Sequence, residues 1–224
     1  MEMVSVIVPA LDDAASVGRL LVGLPPHPSV AIIIVDGGHD ATLDSIRATR
    51  ADVQLLRAPA GRGGQMNTGA AVARGRWLLF LHADSQLPPA WLDAIEMADR
   101  DESAVGGWFR FSLDAEGWQP RLIERLVALR VTLLRLPYGD QGIFVRRAVF
   151  AAMGGYRDLP LMEDVEFVRR LIRTGPVRPS RLPLVTSARR WHRDGWFRRS
   201  ASNLALLILY VAGVSPHRLA RWYG

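Results

Sequence analysis

The chain has 224 residues, 49% of them hydrophobic, which is enough for one large domain with a buried core and too apolar for a disordered chain. Its net charge of +6 rests on 28 arginines and no lysine, which favours anionic partners such as phosphate or anionic lipid through the planar guanidinium. The absence of cysteine excludes disulfides, thiolate metal sites and cysteine nucleophiles.

Val4 to Val8 reads as a first buried strand stopped by Pro9, and Asp12 or Asp13 can cap a helix whose apolar face is Val17, Leu20, Leu21 and Leu24. Ala31 to Val35 is a second strand, followed at once by Asp36-Gly37-Gly38-His39-Asp40. A short helix over Thr42 to Arg50, with Asp40 as a candidate cap, leads to a third strand at Val53 to Arg57. The glycine-rich stretch from Gly61 to Asn67 then runs into a helix of small residues ending at Ala73. Trp77 to Leu81 is short and continuously apolar, as suits a strand buried on both faces of a parallel sheet. This alternation predicts a doubly wound parallel sheet.

The second half changes character. Trp91, Leu92, Ile95 and Ala98 mark a helix, and Gly106 to Leu113 alternates as a half-exposed strand would. Leu122, Leu126, Leu129 and Leu133 give the apolar face of another helix. A polar loop, Tyr138 to Gly142, precedes a strand at Ile143 to Val145 and a helix over Arg147 to Met153 that ends at Gly154-Gly155. Glu163 and Asp164 open a further helix that Gly175 stops. Val177 to Val185 contains Pro179 and Pro183 and is at best an edge strand. Ser187 to Arg199 is basic and aromatic, Ser200 to Val214 is a leucine-rich helix, and the tail is basic and aromatic again.

Five constellations can carry chemistry. Asp36-Gly37-Gly38 follows a buried strand and can meet a base or ribose; an ordinary tight turn fits equally. Backbone N–H groups at Gly61 to Asn67 can attract phosphate with Arg62 beside them, although neither the Walker nor the dinucleotide spacing is present; close helix–sheet packing is the alternative. Asp84 falls at the carboxyl end of its strand, where it can hold a hard divalent cation or cap the helix that Pro88 and Pro89 open. Glu163-Asp164 at a helix start suits a general base, and is also normal first-turn composition. Arg189-Arg190-Trp191 can close over a diphosphate or lie on lipid, with His192 as a candidate metal ligand.

Taken in order, Pro9-Ala10-Leu11-Asp12, Asp36-Gly37-Gly38, Gly64-Gln65-Met66-Asn67-Thr68-Gly69-Ala70, His82-Ala83-Asp84, Tyr138 to Gly142 and Met162 to Glu166 form a series that resembles the family-2 glycosyltransferases, closely a bacterial subgroup with His-Ala-Asp at the metal position. The resemblance runs from Val4 to about Trp222 and implies a GT-A fold: one domain over 1–224, Rossmann-like, three-layer α/β/α with a central mixed, mainly parallel sheet. It implies a nucleotide-binding half (1–100), an acceptor half (101–199) and a C-terminal helix and tail (200–224).

The implied activity is single-displacement, inverting transfer from a UDP- or GDP-sugar with Mg²⁺ or Mn²⁺. By position, Pro9, Ala10, Asp12, Asp36, Gly37, Arg62 and Asn67 resemble nucleotide contacts, and Asp84 the metal-binding end of Asp-x-Asp, next to the nucleotide. Arg189, Arg190 and Trp191 resemble a diphosphate element, Asp140 and Gln141 fall at the sugar or acceptor, and Asp164 beside Glu163 resembles the catalytic base. The sequence departs from the family pattern where His82 replaces a carboxylate, where Asp36-Gly37-Gly38-His39 replaces Asp-Asp-Gly-Ser, and where Asp12-Asp13 replaces Asn-Glu.

A sugar-phosphate nucleotidyltransferase and a non-catalytic basic membrane- or nucleic-acid-binding module are the competing readings. Basic residues are scattered and no nucleic-acid recognition motif is present, so nucleic acid is not an expected partner. No signal peptide is expected, and Leu204 to Val214 is too short to span a bilayer, so the expected location is the cytoplasm, with the inner membrane face as the place where an anionic surface meets the C-terminal helix. A core or homodimer role fits that helix as well, and the expected acceptor is unidentified, a lipid-linked one included.

Overall fold

The computed structural model describes residues 2–38 and 42–223. The first half alternates as the sequence predicts: β1 (Val4–Ala10), α1 (Ala14–Val22), β2 (Val30–Asp36), α2 (Thr42–Thr49), β3 (Val53–Arg57), α3 (Arg62–Val72) and β4 (Trp77–Phe80). After it come β5 (Ser85–Gln86), α4 (Trp91–Asp99), β6 (Gly106–Gly107), β7 (Arg110–Leu113) and α5 (Trp118–Leu134). A 3₁₀ turn at Gly139–Gln141 leads to β8 (Ile143–Arg146), α6 (Arg147–Ala152), α7 (Glu163–Thr174), β9 (Pro183–Thr186), α8 (Arg189–Asp194), α9 (Trp196–Val211) and α10 (Pro216–Tyr223). Asp40, the candidate cap of α2, lies outside the described residues. Asp13 rather than Asp12 caps α1, accepting the Ser16 N–H at 3.1 Å.

The main sheet has six strands in the order β3-β2-β1-β4-β8-β6. β1 to β4 are parallel, and β8 enters antiparallel to both β4 and β6. Side chains alternate strictly across it. Val4, Val6, Val8, Ile32, Ile34, Trp77 and Leu79 face α1, α2 and α4, whereas Ile7, Ile33, Val35, Leu78 and Phe80 face α3, α6 and α7. Burial on both faces explains why these strands read as continuous apolar runs.

Pro9 does not stop β1. Met3 and Ile7 offer their carbonyls to the β4 side, so Pro9 also points there, just past the end of β4, and little ladder is lost with its N–H.

Three expectations for the second half fail, each for a local reason. Gly106 to Leu113 is two strands in two sheets. A Cβ on Gly107 would lie 2.3 Å from the Arg178 carbonyl and 2.4 Å from the Phe144 ring, so the glycine pair crosses β8 where no side chain fits, and β7 departs to a three-stranded sheet. β9 is the centre of that sheet, ordered β5-β9-β7, and not an edge: Pro179 precedes it, and Pro183 occupies its first position, where a missing N–H is tolerated. Finally, α5 turns its leucine row outward. Leu126, Leu129 and Leu133 are 55%, 54% and 70% exposed, while Pro120, Ile123 and Glu124 face inward. The buried Glu124 carboxylate accepts the Ser112 hydroxyl at 2.9 Å and the Leu113 N–H at 2.8 Å, and this polar anchoring to β7 overrides the apolar period.

Asp99 ties three elements together. It accepts from Trp77 Nε1 at 2.9 Å and pairs with Arg76 and Arg146 at 2.8 Å each. Burial pushes its carboxyl up, but the indole N–H and the two guanidiniums outweigh that, and it lies below the usual carboxylate range. A depressed carboxyl contributes stability that is present above the unfolded value, about pH 4, and is lost as pH falls through the folded value. Asp99→Asn is expected to cost about 2 kcal/mol at pH 7. The difference from wild type should shrink on acidification below about pH 4; urea melts at both pH values check it, and a pH-independent difference would refute the assignment.

Candidate active site

The carboxyl ends of β1, β2 and β4 open on one side of the sheet, and β1 and β2 part after the Gly37 N–H meets the Ala10 carbonyl at 2.9 Å. Gln65, in the first turn of α3, closes the gap. Its amide nitrogen donates to the Ala10 carbonyl at 2.7 Å and the Val35 carbonyl at 2.8 Å, and its Oε1 accepts the Gly61 N–H at 3.3 Å. Just over one turn on, Gly69 lets the helix approach the sheet: a Cβ there would sit 2.5 Å from Ile7 Cγ2. The small residues of this stretch therefore serve close packing, and that packing aims the amino end of α3, with Arg62, at the cleft.

The cleft has two connected chambers. The larger, about 600 Å³, is lined by Pro9, Ala10, Asp13, Gly61, Gln65 and Arg189; this is within the range of small-molecule sites. The other is lined by Tyr138, Asp140, Glu163, Asp164 and Trp191. Arg62, His82, Asp84, Arg190, Arg199 and Tyr223 border both.

At the junction, Arg62 pairs with Glu163 at 3.2 Å. Burial pulls the Arg62 guanidinium down, but Glu163 and Asp164 outweigh it and hold it above its ordinary value. Burial and the neighbouring Asp164 raise the Glu163 carboxyl, with Arg62 opposing. Asp164 is held by the backbone, its Oδ2 accepting the Gly139 N–H at 2.6 Å and its Oδ1 the Val165 N–H at 2.7 Å. A Cβ on Gly139 would be 2.8 Å from His82 Nε2, so this glycine lets the turn lie directly on the imidazole. Burial, with Arg62 and Arg190 adding to it, pushes His82 down to about 3, leaving it neutral near pH 7. Burial pushes Asp140 up to about 7, with Arg130 opposing, and its buried Oδ1 has no partner among the described residues.

Pro9, Ala10, Arg62, Asp84, Asp140, Glu163, Asp164, Arg189, Arg190 and Trp191 thus converge on one cleft. Trp191 is mostly core, donating to Ser200 Oγ at 3.1 Å and packing on Phe111. Other candidates lie off the cleft. Asp36 is 1% exposed; its Oδ1 accepts the Gly38 N–H, and its Oδ2 has no partner among the described residues. Gly37 packs where a Cβ would lie 2.9 Å from Ala60 Cα. Asp12 is exposed in a left-handed backbone conformation beside Gly38. The Asn67 amide is bound both ways to the backbone of Tyr156, at 2.8 and 2.9 Å. Gln141 is buried and donates to the Phe109 carbonyl. His192 is exposed, edge-on to Trp196. Among the described residues, no group of three or more His, Asp or Glu side chains is placed to hold a metal ion.

Sequence reasoning missed Gln65, Arg199 and Tyr223. Gly195, at φ +86°, turns the chain between α8 and α9 and brings Arg199 back beside Arg190. Arg199 donates to the Tyr223 hydroxyl, and its Nε is buried without a partner among the described residues. Only the basic and aromatic composition of both segments hinted at either.

A family model described as "Glycosyl transferase family 2" matches residues 5–155. The chain belongs to glycosyltransferase family 2. The fold agrees with solved relatives. A crystal structure of S. aureus TarS residues 1–349 is 18% identical with a TM-score of 0.65, covering 92% of this chain and 65% of that one. Complexes of the same TarS fragment with UDP and with UDP-GlcNAc are 17% identical, with TM-scores of 0.65 and 0.64 over 83% of this chain. This chain covers 60% and 58% of those two structures, and 40% of a longer TarS structure. No curated protein matches the sequence. The mixed, mainly parallel sheet is the GT-A arrangement of these family-2 neighbours.

In this family-2 chain the cleft floor depends on Gln65. Gln65→Leu keeps the size but removes three hydrogen bonds, those to the Ala10 and Val35 carbonyls and the one from the Gly61 N–H. A loss of about 1–3 kcal/mol in stability is expected, from roughly 0.5–1.5 kcal/mol per hydrogen bond. Thermal melts check this, and an unchanged melting temperature would show that the clamp is dispensable.

Proposed function

We propose that this family-2 chain transfers a sugar from a UDP- or GDP-sugar to an acceptor hydroxyl, with inversion at the anomeric carbon. UDP-sugars come first because the TarS complexes hold UDP and UDP-GlcNAc. The observation that carries the reading is the convergence of a backbone-held Asp164, Asp84 and three arginines on one cleft.

In this reading the larger chamber takes the nucleotide and the smaller one the sugar and acceptor. The acceptor oxygen attacks the anomeric carbon while its proton passes to Asp164. The bond to the diphosphate oxygen breaks with its electron pair, and Arg62, Arg190 and Arg199 face the charge that develops. Glu163 positions Arg62 through their ion pair. One base and no enzyme nucleophile gives inversion.

Mg²⁺ or Mn²⁺ fits as an ion shared with the substrate. Mg²⁺ commonly takes one or two carboxylates together with substrate phosphates and water, and Asp84 supplies one carboxylate at the chamber junction. The ion would contribute Lewis-acid stabilisation of the diphosphate. His192, exposed and off the cleft, has no part in it.

Thermal-shift titration with UDP, GDP and CMP, with and without Mn²⁺, is expected to give the largest shift with UDP plus Mn²⁺. Asp164→Asn should lower transfer by about 10²-fold or more with donor binding little changed; full transfer by that variant would sink the base assignment. Asp84→Ala should abolish the increment due to Mn²⁺, and an unchanged increment would remove its metal role.

A further inference from the structure

The exposed leucine row of α5 has a neighbour. α5 and α9 run side by side in the same direction. Trp118 at the start of α5 packs on Phe197 at the start of α9, ring centroids 5.7 Å apart, and Leu134 and Val211 at their far ends share one groove. Beyond Leu126, Leu129 and Leu133, the outward side of α9 carries Leu204 and Ile208, 49% and 58% exposed. Helices of 17 and 16 residues are roughly 25 Å long, and two abreast cover roughly 500 Å². A patch that size is near the upper limit for a monomer surface and calls for a partner.

The charges around the patch say which partner. On α5, α9 and α10 the exposed permanently charged side chains are all arginine: Arg121, Arg125, Arg198, Arg218 and Arg221. The one carboxylate of these helices, Glu124, is buried, bonded to β7 and paired with Arg121 at 2.7 Å, which leaves Arg125, Arg198, Arg218 and Arg221 for the surface. A two-fold dimer through this face would set the arginines of these helices against each other, with Asp114 and Glu116 ahead of α5 as the exposed acidic groups nearest in sequence. We propose that the α5–α9 face docks on an anionic bilayer surface, with the apolar row in the acyl boundary, Trp118 and Phe197 at the headgroup level and the arginines on lipid phosphates. Among the described residues no helix is long and apolar enough to cross a membrane, so the contact is interfacial. The inner side of α9, through Asn203 and Leu206, lines the cleft, which therefore lies about one helix diameter, roughly 10 Å, from the lipid. The surface stands whether or not the cleft carries the proposed reaction.

Co-sedimentation of the full chain with phosphatidylcholine vesicles, with and without phosphatidylglycerol, tests the proposal. Strong binding is expected only with the anionic lipid, weakening as salt rises. Leu126→Glu with Ile208→Glu should weaken it at least about tenfold with the melting temperature kept, since both sites are exposed. Arg125→Gln with Arg198→Gln should weaken it about tenfold or more, from about 1 kcal/mol per arginine, and both sites are exposed. Independently of variant folding, brominated lipid should quench Trp118, read as the difference between wild type and Trp118→Phe. Equal binding to neutral and anionic vesicles, or no Trp118 quenching, overturns the proposal. So does a concentration-dependent dimer dissolved by Leu126→Glu without vesicle binding, which would assign the face to a second copy.

Discussion

The carboxamide of Gln65 is the interaction on which the cleft depends. A parallel sheet gains its stability by burial on both faces, but where neighbouring strands end it leaves carbonyls that water no longer reaches. Gln65 is itself buried and supplies both amide hydrogens to two such carbonyls, at the ends of β1 and β2. The same contacts set where α3 begins. Gly69 then keeps that helix against Ile7 and Val35, and the remaining freedom of Arg62 is taken up by its pair with Glu163 on α7. A backbone requirement at the floor thus fixes which side chains face each other across the cleft.

What lines it is a mixed set of charges, partly withdrawn from water. Asp84, Asp140, Glu163 and Asp164 share the space with Arg62, Arg190 and Arg199. Burial drives the titratable members toward neutrality, raising Asp140 to about 7 and lowering His82 to about 3. A neutral His82 adds no charge beside Asp84, while three arginines line the same space. Under the proposed function, such a junction would place guanidinium groups, fixed in advance, where charge develops on the leaving diphosphate.

The first half of the fold was legible because strands buried on two faces need little but apolar residues, and Trp77 to Leu81 could satisfy no other role as simply. The second half was not, because buried polar contacts decide it. Glu124 pulls α5 around by its hydrogen bonds to β7, against a leucine period that pointed the other way. Gly107 splits a run that alternates like one strand. In the site, residues near strand ends or helix starts, such as Asp84 and Asp164, carry a positional signal. Arg199 and Tyr223 carry none, since the Gly195 turn and the packing of α10 on α9 place them. Asn67 illustrates the converse: its polar character suits a ligand, but the backbone of Tyr156 already uses it.

α9 joins the two halves of the functional argument through its period. Arg199, Asn203 and Leu206, spaced four and three apart, line the cleft, whereas Leu204, Ile208 and Val211, with the same spacing, point outward. A single helix therefore presents one stripe to the cleft and another to the surrounding medium, and no rotation could serve one without removing the other. Gly195 and Gly213, both at positive φ, bound this helix and permit the sharp turns that a rigidly set register requires. Its leucine content, ambiguous in the sequence between core and surface, is explained by this dual duty: Leu206 and Leu207 close the core against Val165 and Leu219, and the outward leucines are left over from no packing need inside the chain.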